Sequence, residues 1–149
     1  KLFGFPYLIF RYPHVYGPRQ NPKGEAGVVT IFTGLMRKGI RPTIYGNGTK
    51  ARDYAYIEDI VGANVIALKK GKNEILNLGW GTPITDQKIF DELAKNLGFK
   101  EKPIYAPYRA GEIYKTSLSP KKAFKIIGWK PTITFEEGIK RYVRSVETA

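Results

Sequence analysis

The strongest constraint on the fold is a rhythm of glycines that close helices, set between short apolar runs. Gly39, Gly71, Gly98 and Gly128 each follow a segment whose apolar residues recur at helical spacing. A glycine just past the last turn accepts the left-handed backbone that a side chain resists, so each marks a helix end. Between these helices lie "PYLIFRY" (6–12), "TIYGNG" (43–48), "EILNLGWG" (74–81) and "KPIYAPY" (102–108). They are too short for helices and rich in β-branched and aromatic residues, which predicts strands. Strands alternating with helices, with no linker between them, imply one layered α/β unit.

Individual elements follow from local chemistry. Residues 6–12 are expected to form a buried strand of a parallel sheet. Val28, Ile31, Phe32 and Leu35 recur at i, i+3, i+4 and i+7 and predict an amphipathic helix with that stripe on the core. Residues 43–57 read as strand, Asn47-Gly48 turn and strand. A second helix is predicted from about 58 to 70, with acids in its first turn and lysines in its last. Thr85 is placed as the N-cap of a third helix with Ile89, Leu93 and Leu97 on one face. Ser119 then Pro120 read as N-cap and first position of a fourth. Thr134 to Glu137 form a capping box before a fifth, whose Phe135, Ile139, Tyr142 and Val146 face inward.

Several classes of function are excluded by composition. Without cysteine there is neither a disulfide scaffold nor a thiolate metal site, a usage that fits a reducing, cytoplasmic setting. A single histidine and no carboxylate cluster at ligand spacing argue against any metal centre. No run of about 18 apolar residues offers a membrane helix. The formal charge of +12 admits two readings, a soluble, heat-resistant surface or an attraction for phosphates. Position has to decide between them.

Three arginines stand in loops beside flexible backbone: Arg19 in "GPRQ", Arg52 after "GNG", and Arg109 in "YRAGE", three residues before Glu112. Each alone is an ordinary surface residue. Together they suggest a diphosphate clamp, because a guanidinium fork matches phosphate oxygens in pairs. Gly24 and Gly27 bend the chain into the first helix, either as a plain loop-to-helix turn or as a site where backbone N–H groups meet an anion. Tyr45, beside Gly-x-Gly, is either a core tyrosine or a platform for a base. His14 is the lone imidazole, and no neighbour is evident to orient it as a base. A polar contact with ligand fits it better. No RNP, KH or helix-turn-helix signature accompanies the charge, which speaks against a basic nucleic-acid-binding module.

Two motifs are missing. No tyrosine is followed by lysine four residues later, and no glycine series reads G-x-x-G-x-x-G or G-x-G-x-x-G. The segments that are present, "FRYPHVYGPRQNPKGEAGVVTIF", "PTIYGNGTKARDYAYIEDIVGAN", "EILNLGWGTPIT", "PYRAGEI" and "GWKPTITFEEGI", resemble in kind and order the C-terminal portion of the nucleotide-sugar epimerases and dehydratases of the extended short-chain dehydrogenase/reductase family. The likeness runs along the whole chain and is nearest to the UDP-sugar 4-epimerases. It implies an α/β substrate-binding lobe, residues 1–149, carrying the last strand of a Rossmann-type sheet. The NAD-binding domain, its Tyr-x-x-x-Lys pair and the homodimer contact would then lie upstream of Lys1, and this piece alone would be inactive.

For the site, the resemblance implies that Arg52 and Arg109 hold the diphosphate of a UDP-sugar and Glu112 a ribose hydroxyl. Ala26, Gly27 and Val28 would face the nucleotide with Phe32 near, and Tyr45 would lie against uracil or ribose. Arg19 belongs to a loop whose role is partly structural. His14 stands where the family usually carries asparagine, which leaves the sugar open; dTDP-sugar dehydratases and UDP-uronate epimerases share these elements. The reaction implied is transient oxidation of the sugar at C4 with NAD, rotation of the ketose and return of hydride to the other face.

Overall fold

The computed structural model describes residues 3–21 and 27–148. Strand β1 (Leu8–Arg11) pairs in parallel with β6 (Glu74–Asn77), and β2 (His14–Tyr16) with β5 (Tyr54–Tyr56). Strand β3 (Thr43–Tyr45) runs parallel to β8 (Ile104–Ala106), while β4 (Ala51–Arg52) is antiparallel to β7 (Ile84–Thr85). Around them lie α1 (Val28–Arg37), α2 (Ile57–Ala67), α3 (Asp86–Leu97), α4 (Lys121–Ile127) and α5 (Phe135–Glu147). Parallel pairing between strands so distant in sequence requires helical crossovers, as the alternating pattern demands.

Two cores share β5. Its side chains alternate, so Tyr54 and Tyr56 enter a cluster with Phe32, Ile89, Leu93, Phe135 and Ile139, while Ala55 enters a second with Ile60, Leu76, Ile127 and Trp129. Helix α1 packs on α3, and α3 on α5, over the first cluster. Tyr16 is buried there and donates its hydroxyl hydrogen to the Phe135 carbonyl at 3.1 Å. This approach requires Gly138, since a Cβ at that position would sit 2.1 Å from the Tyr16 oxygen.

Most helix signals are found where the residues place them. The Thr85 hydroxyl accepts from Lys88 N–H at 3.1 Å, and Gly98 and Gly128 close α3 and α4 at φ of 67° and 74°. Thr134 accepts from Glu137 N–H at 3.3 Å, but the Glu137 carboxylate accepts from Arg141 Nε at 2.8 Å, one turn along. Pro120, not Ser119, occupies the N-cap of α4, and α2 ends at Ala67, short of the lysines.

Three further expectations are corrected. The strands flanking the Asn47-Gly48 turn do not pair with each other. The start of α3 takes up the returning chain instead: its free N–H groups, Asp86 and Gln87, donate to the carbonyls of Lys50 (2.9 Å) and Gly48 (3.1 Å). Strand β1 is buried on one face only, with Leu8 and Phe10 on the second core and Ile9 exposed. The third correction concerns α1. Its buried residues are Val29, Thr30, Phe32, Thr33 and Met36, so of the Val28, Ile31, Phe32 and Leu35 stripe only Phe32 is buried, Val28 packs at the margin of the first core and Ile31 is exposed. Thr33 tolerates burial because its hydroxyl donates to the Val29 carbonyl at 2.8 Å.

Candidate nucleotide-binding cleft

The displaced stripe of α1 has another use. Val28, Ile31, Phe32 and Leu35 form the apolar wall of a cleft of about 630 Å³. His14, Tyr45, Arg52, Arg109 and Glu112 line the same cleft. A helical pattern reports an apolar surface but not what covers it, so a ligand-facing stripe reads like a core-facing one.

The floor is built by the 50–54 segment. Lys50, Arg52 and Tyr54 alternate along an extended chain and all line the cleft. Arg52 is held in place by the carbonyls of Ala51 and Tyr114, to which it donates from one terminal nitrogen at 3.0 and 3.2 Å. Between Arg52 and Tyr54 the side chain turns the other way. Asp53 is 1% exposed, and its carboxylate accepts from the backbone N–H groups of Trp80 (2.8 Å), Gly81 (2.9 Å) and Leu118 (2.9 Å). Gly79 makes room for it, since a Cβ there would lie 2.6 Å from the Asp53 Oδ2 atom. Asp53 thereby fixes the strand that carries Arg52.

Arg109 comes from the irregular segment after β8. Its guanidinium lies 3.6 Å above the centroid of the Tyr45 ring. Stacking uses the face of the fork and leaves the in-plane N–H groups for an anion. It also covers one face of Tyr45, the ring expected either to be core or to lie against uracil or ribose. The segment is tied down by the Asn47 turn: Tyr108 donates to Asn47 Oδ1 at 2.6 Å, and the hydroxyls of Tyr114 and Thr49 are 2.7 Å apart. Glu112 is bonded through Oε2 to the ammonium of Lys50, which lies 3.7 Å from Asp86 as well.

The titratable groups favour binding over proton transfer. His14 donates its backbone N–H to the Asp53 carbonyl at 2.9 Å, and its ring centre is 5.4 Å from that of Tyr54. Although solvent reaches it, partial burial of the ring, and then the positive charge of Arg52, hold its pKa below the ordinary value. It is therefore neutral at pH 7. Burial pushes the Tyr54 phenol well above its usual range, so it stays protonated and can donate. Burial also raises Asp86, opposed by Lys50 and Arg52. Among the described residues no group of three or more His, Cys, Asp or Glu side chains could hold a metal ion.

Of the residues expected from sequence, His14, Gly27, Val28, Phe32, Tyr45, Arg52, Arg109 and Glu112 line this one cleft. Ala26, like Gly24, lies outside the described residues. Arg19 is not brought to the cleft: it is exposed, in a turn with φ of 67°. The cleft thus brings together two of the three loop arginines. Sequence reasoning missed Lys50, Tyr54 and Asp86. The first two were legible in the two-residue alternation around Arg52; Asp86, a plain acid in a helix's first turn, carried no signal.

Parallel strand pairs joined through helices, with a cleft lined by two arginines, an aromatic ring and the start of α1, define a Rossmann-type α/β fold. Residues 1–79 match the NAD dependent epimerase/dehydratase family, and the chain belongs to that family. A UDP-glucose 4-epimerase structure from Thermotoga maritima, solved with UDP-glucose, superposes with a TM-score of 0.94 at 42% identity, covering 98% of this chain and 47% of that one. The Thermus thermophilus UDP-glucose 4-epimerase in complex with NAD gives 0.88 at 36% identity, over 99% of this chain and 49% of that one. A UDP-glucuronate 4-epimerase of Thermodesulfobacterium geofontis is 36% identical over 147 residues, 95% of this chain and 43% of its own. The chain spans about half the length of the curated relatives it matches.

Proposed function

We propose that this chain is the UDP-sugar-binding part of a UDP-glucose 4-epimerase, which interconverts UDP-glucose and UDP-galactose through a transient 4-keto sugar. The observation that carries the reading is the convergence of Arg52 and Arg109 on one cleft with an apolar helical wall. The two guanidinium groups would grip the diphosphate, and Glu112 would accept from a ribose hydroxyl. His14 and the protonated Tyr54 hydroxyl would supply neutral hydrogen bonds toward the sugar end. Firm binding of the diphosphate and lighter binding of the sugar are what a ketose needs to turn over between its two faces.

When bound, NAD supplies acceptance and return of the C4 hydride. The chain lacks the glycine series and the Tyr-x-x-x-Lys pair that this chemistry uses, and no step through NAD is assigned to its residues. On this reading the NAD site, the catalytic tyrosine and the homodimer contact belong to a further part of the polypeptide, and these 149 residues alone are inactive.

Titration of the purified protein with UDP, UDP-glucose and a single-stranded oligonucleotide tests the reading. Selective binding of the uridine nucleotides is expected, and Arg109→Ala should weaken it by about 1.5–3 kcal/mol, the range for a hydrogen bond to a charged group. Salt-sensitive oligonucleotide binding with no response to UDP would overturn it.

A further inference from the structure

Among the described residues Lys50 is the one buried basic side chain, at 7% exposure. An ammonium in that position is costly unless it is paired. Its backbone is fixed at two points, the Lys50 carbonyl accepting from Asp86 N–H and the next residue, Ala51, donating to the Tyr114 carbonyl at 3.0 Å. Its side chain crosses the cleft floor to Glu112 Oε2, with Asp86 at 3.7 Å. Glu112 has far less support. It sits on an irregular segment, and its own backbone N–H makes only a long 3.5 Å contact with the Arg109 carbonyl. The orientation of its carboxylate therefore depends on Lys50.

Two consequences follow from charge. A carboxylate beside Arg52 and Arg109 would otherwise pair with a guanidinium and cancel the positive charge meant for phosphate. Lys50 engages it first and keeps it off the arginines. A carboxylate also has about four acceptor sites, and one ammonium contact leaves the others free to accept from a pair of hydroxyl groups.

We infer that Lys50 is a positioning residue: its bond to Glu112, across the cleft floor from the two arginines, presents that carboxylate to the ribose diol and makes the site prefer ribonucleoside diphosphates to their deoxy counterparts. This rests on the nucleotide reading of the cleft and adds the residue on which its selectivity for the ribose depends.

The test is calorimetric titration of the wild-type protein and of the K50M, K50R and E112Q variants with UDP and with 2′,3′-dideoxy-UDP. Wild type is expected to prefer UDP by about tenfold, the lower end for hydrogen bonds to a charged group. E112Q and K50M should bring the ratio to within about twofold, and K50R should restore it. A purely structural role for Lys50 would weaken both ligands equally and leave the ratio intact, and that result in K50M overturns the proposal. So does a wild type that binds the two equally well. E112Q leaves Lys50 paired with Asp86, so its ratio can be read even if K50M does not fold, and a retained preference there also overturns the proposal. Failure of wild type to bind UDP at all refutes instead the nucleotide reading on which the inference stands.

Discussion

Asp53→Asn isolates the contribution of one carboxylate to the architecture of the cleft. The substitution keeps size and shape but replaces one acceptor oxygen with an NH2 group. In the native arrangement Oδ2 accepts from Gly81 and Leu118 and Oδ1 from Trp80. The best orientation of an asparagine keeps its oxygen on the two-donor side and turns its NH2 toward Trp80 N–H, so donor meets donor. One charge-assisted bond is lost, at about 1.5–3 kcal/mol, and the two survivors become neutral bonds of roughly half the strength. The total is about 3–6 kcal/mol, with no discount for solvent screening because the residue is 1% exposed. For a chain of this size each kcal/mol moves Tm by roughly 2–4 °C, so a fall of about 6–24 °C is expected in differential scanning calorimetry. Asp53→Ala, which orphans all three donors, should be worse. An Asp53→Asn protein melting within about 2 °C of wild type would show that the three N–H groups find other partners. The claim that Asp53 fixes the Arg52 strand would then fall.

Other outcomes follow from the same contacts. Since the folded His14 pKa lies below 6.5, a falling pH first charges the unfolded chain and so costs stability from about pH 6.5 downward, while a bound diphosphate favours the charged ring. Affinity for UDP-glucose, whose diphosphate does not titrate there, should accordingly rise as pH falls below 6.5, and His14→Asn should flatten the profile in calorimetric titrations. The Tyr108→Phe, Tyr114→Phe pair frees the Arg109 segment from the Asn47 turn and should weaken UDP binding about 3- to 10-fold, one to two ordinary hydrogen bonds; unchanged binding would mean the turn does not hold the segment. Gly138→Ala places a methyl against the Tyr16 hydroxyl and should cost about 2–4 kcal/mol in urea unfolding through overpacking and a lost hydrogen bond, with partial relief in the Gly138→Ala, Tyr16→Phe double variant.

How far the molecule was legible in its residues depended on the range of the interaction. Several signals acting within one turn are legible, because Thr85, Gly98 and Gly128 determine their caps through bonds and backbone angles three or four residues away, although Pro120 takes the cap expected of Ser119 and Glu137 turns to Arg141. Pairing was not legible. The Asn47-Gly48 turn satisfies every local rule for a hairpin, yet the partner of the following chain is the start of α3, some forty residues on, whose free N–H groups no local pattern reveals. Burial failed in the same way for α1, where Ile31 and Leu35 line a cleft and Val28 both lines it and packs at the margin of the first core. The candidate site was legible to the extent that its chemistry was concentrated in single residues such as Arg52, Arg109 and Glu112. Lys50 was passed over because a lysine in a chain with 25 basic residues attracts no notice until its burial is known.

The charge arrangement of the cleft explains how a strongly basic chain can be selective. Were net charge enough, any polyanion would bind, since unpaired lysines and arginines release counterions to whatever phosphate arrives. In the cleft the cations are not interchangeable. Lys50 is committed to two carboxylates, Arg52 is oriented by two carbonyls, and Arg109 is flattened on Tyr45 with its edge exposed. With His14 neutral, three cations stand against Asp86 and Glu112, which leaves a formal excess of one charge. An excess so small attracts a phosphate weakly at long range, so on the proposed reading a phosphate would be held by short, directed contacts with the two guanidinium forks. The apolar wall of α1 adds a condition, since it excludes water from one side and offers nothing to a chain of further phosphates. The cleft is therefore suited to an anion of short reach with a less polar body attached, and the rest of the positive surface, outside it, contributes attraction without choice.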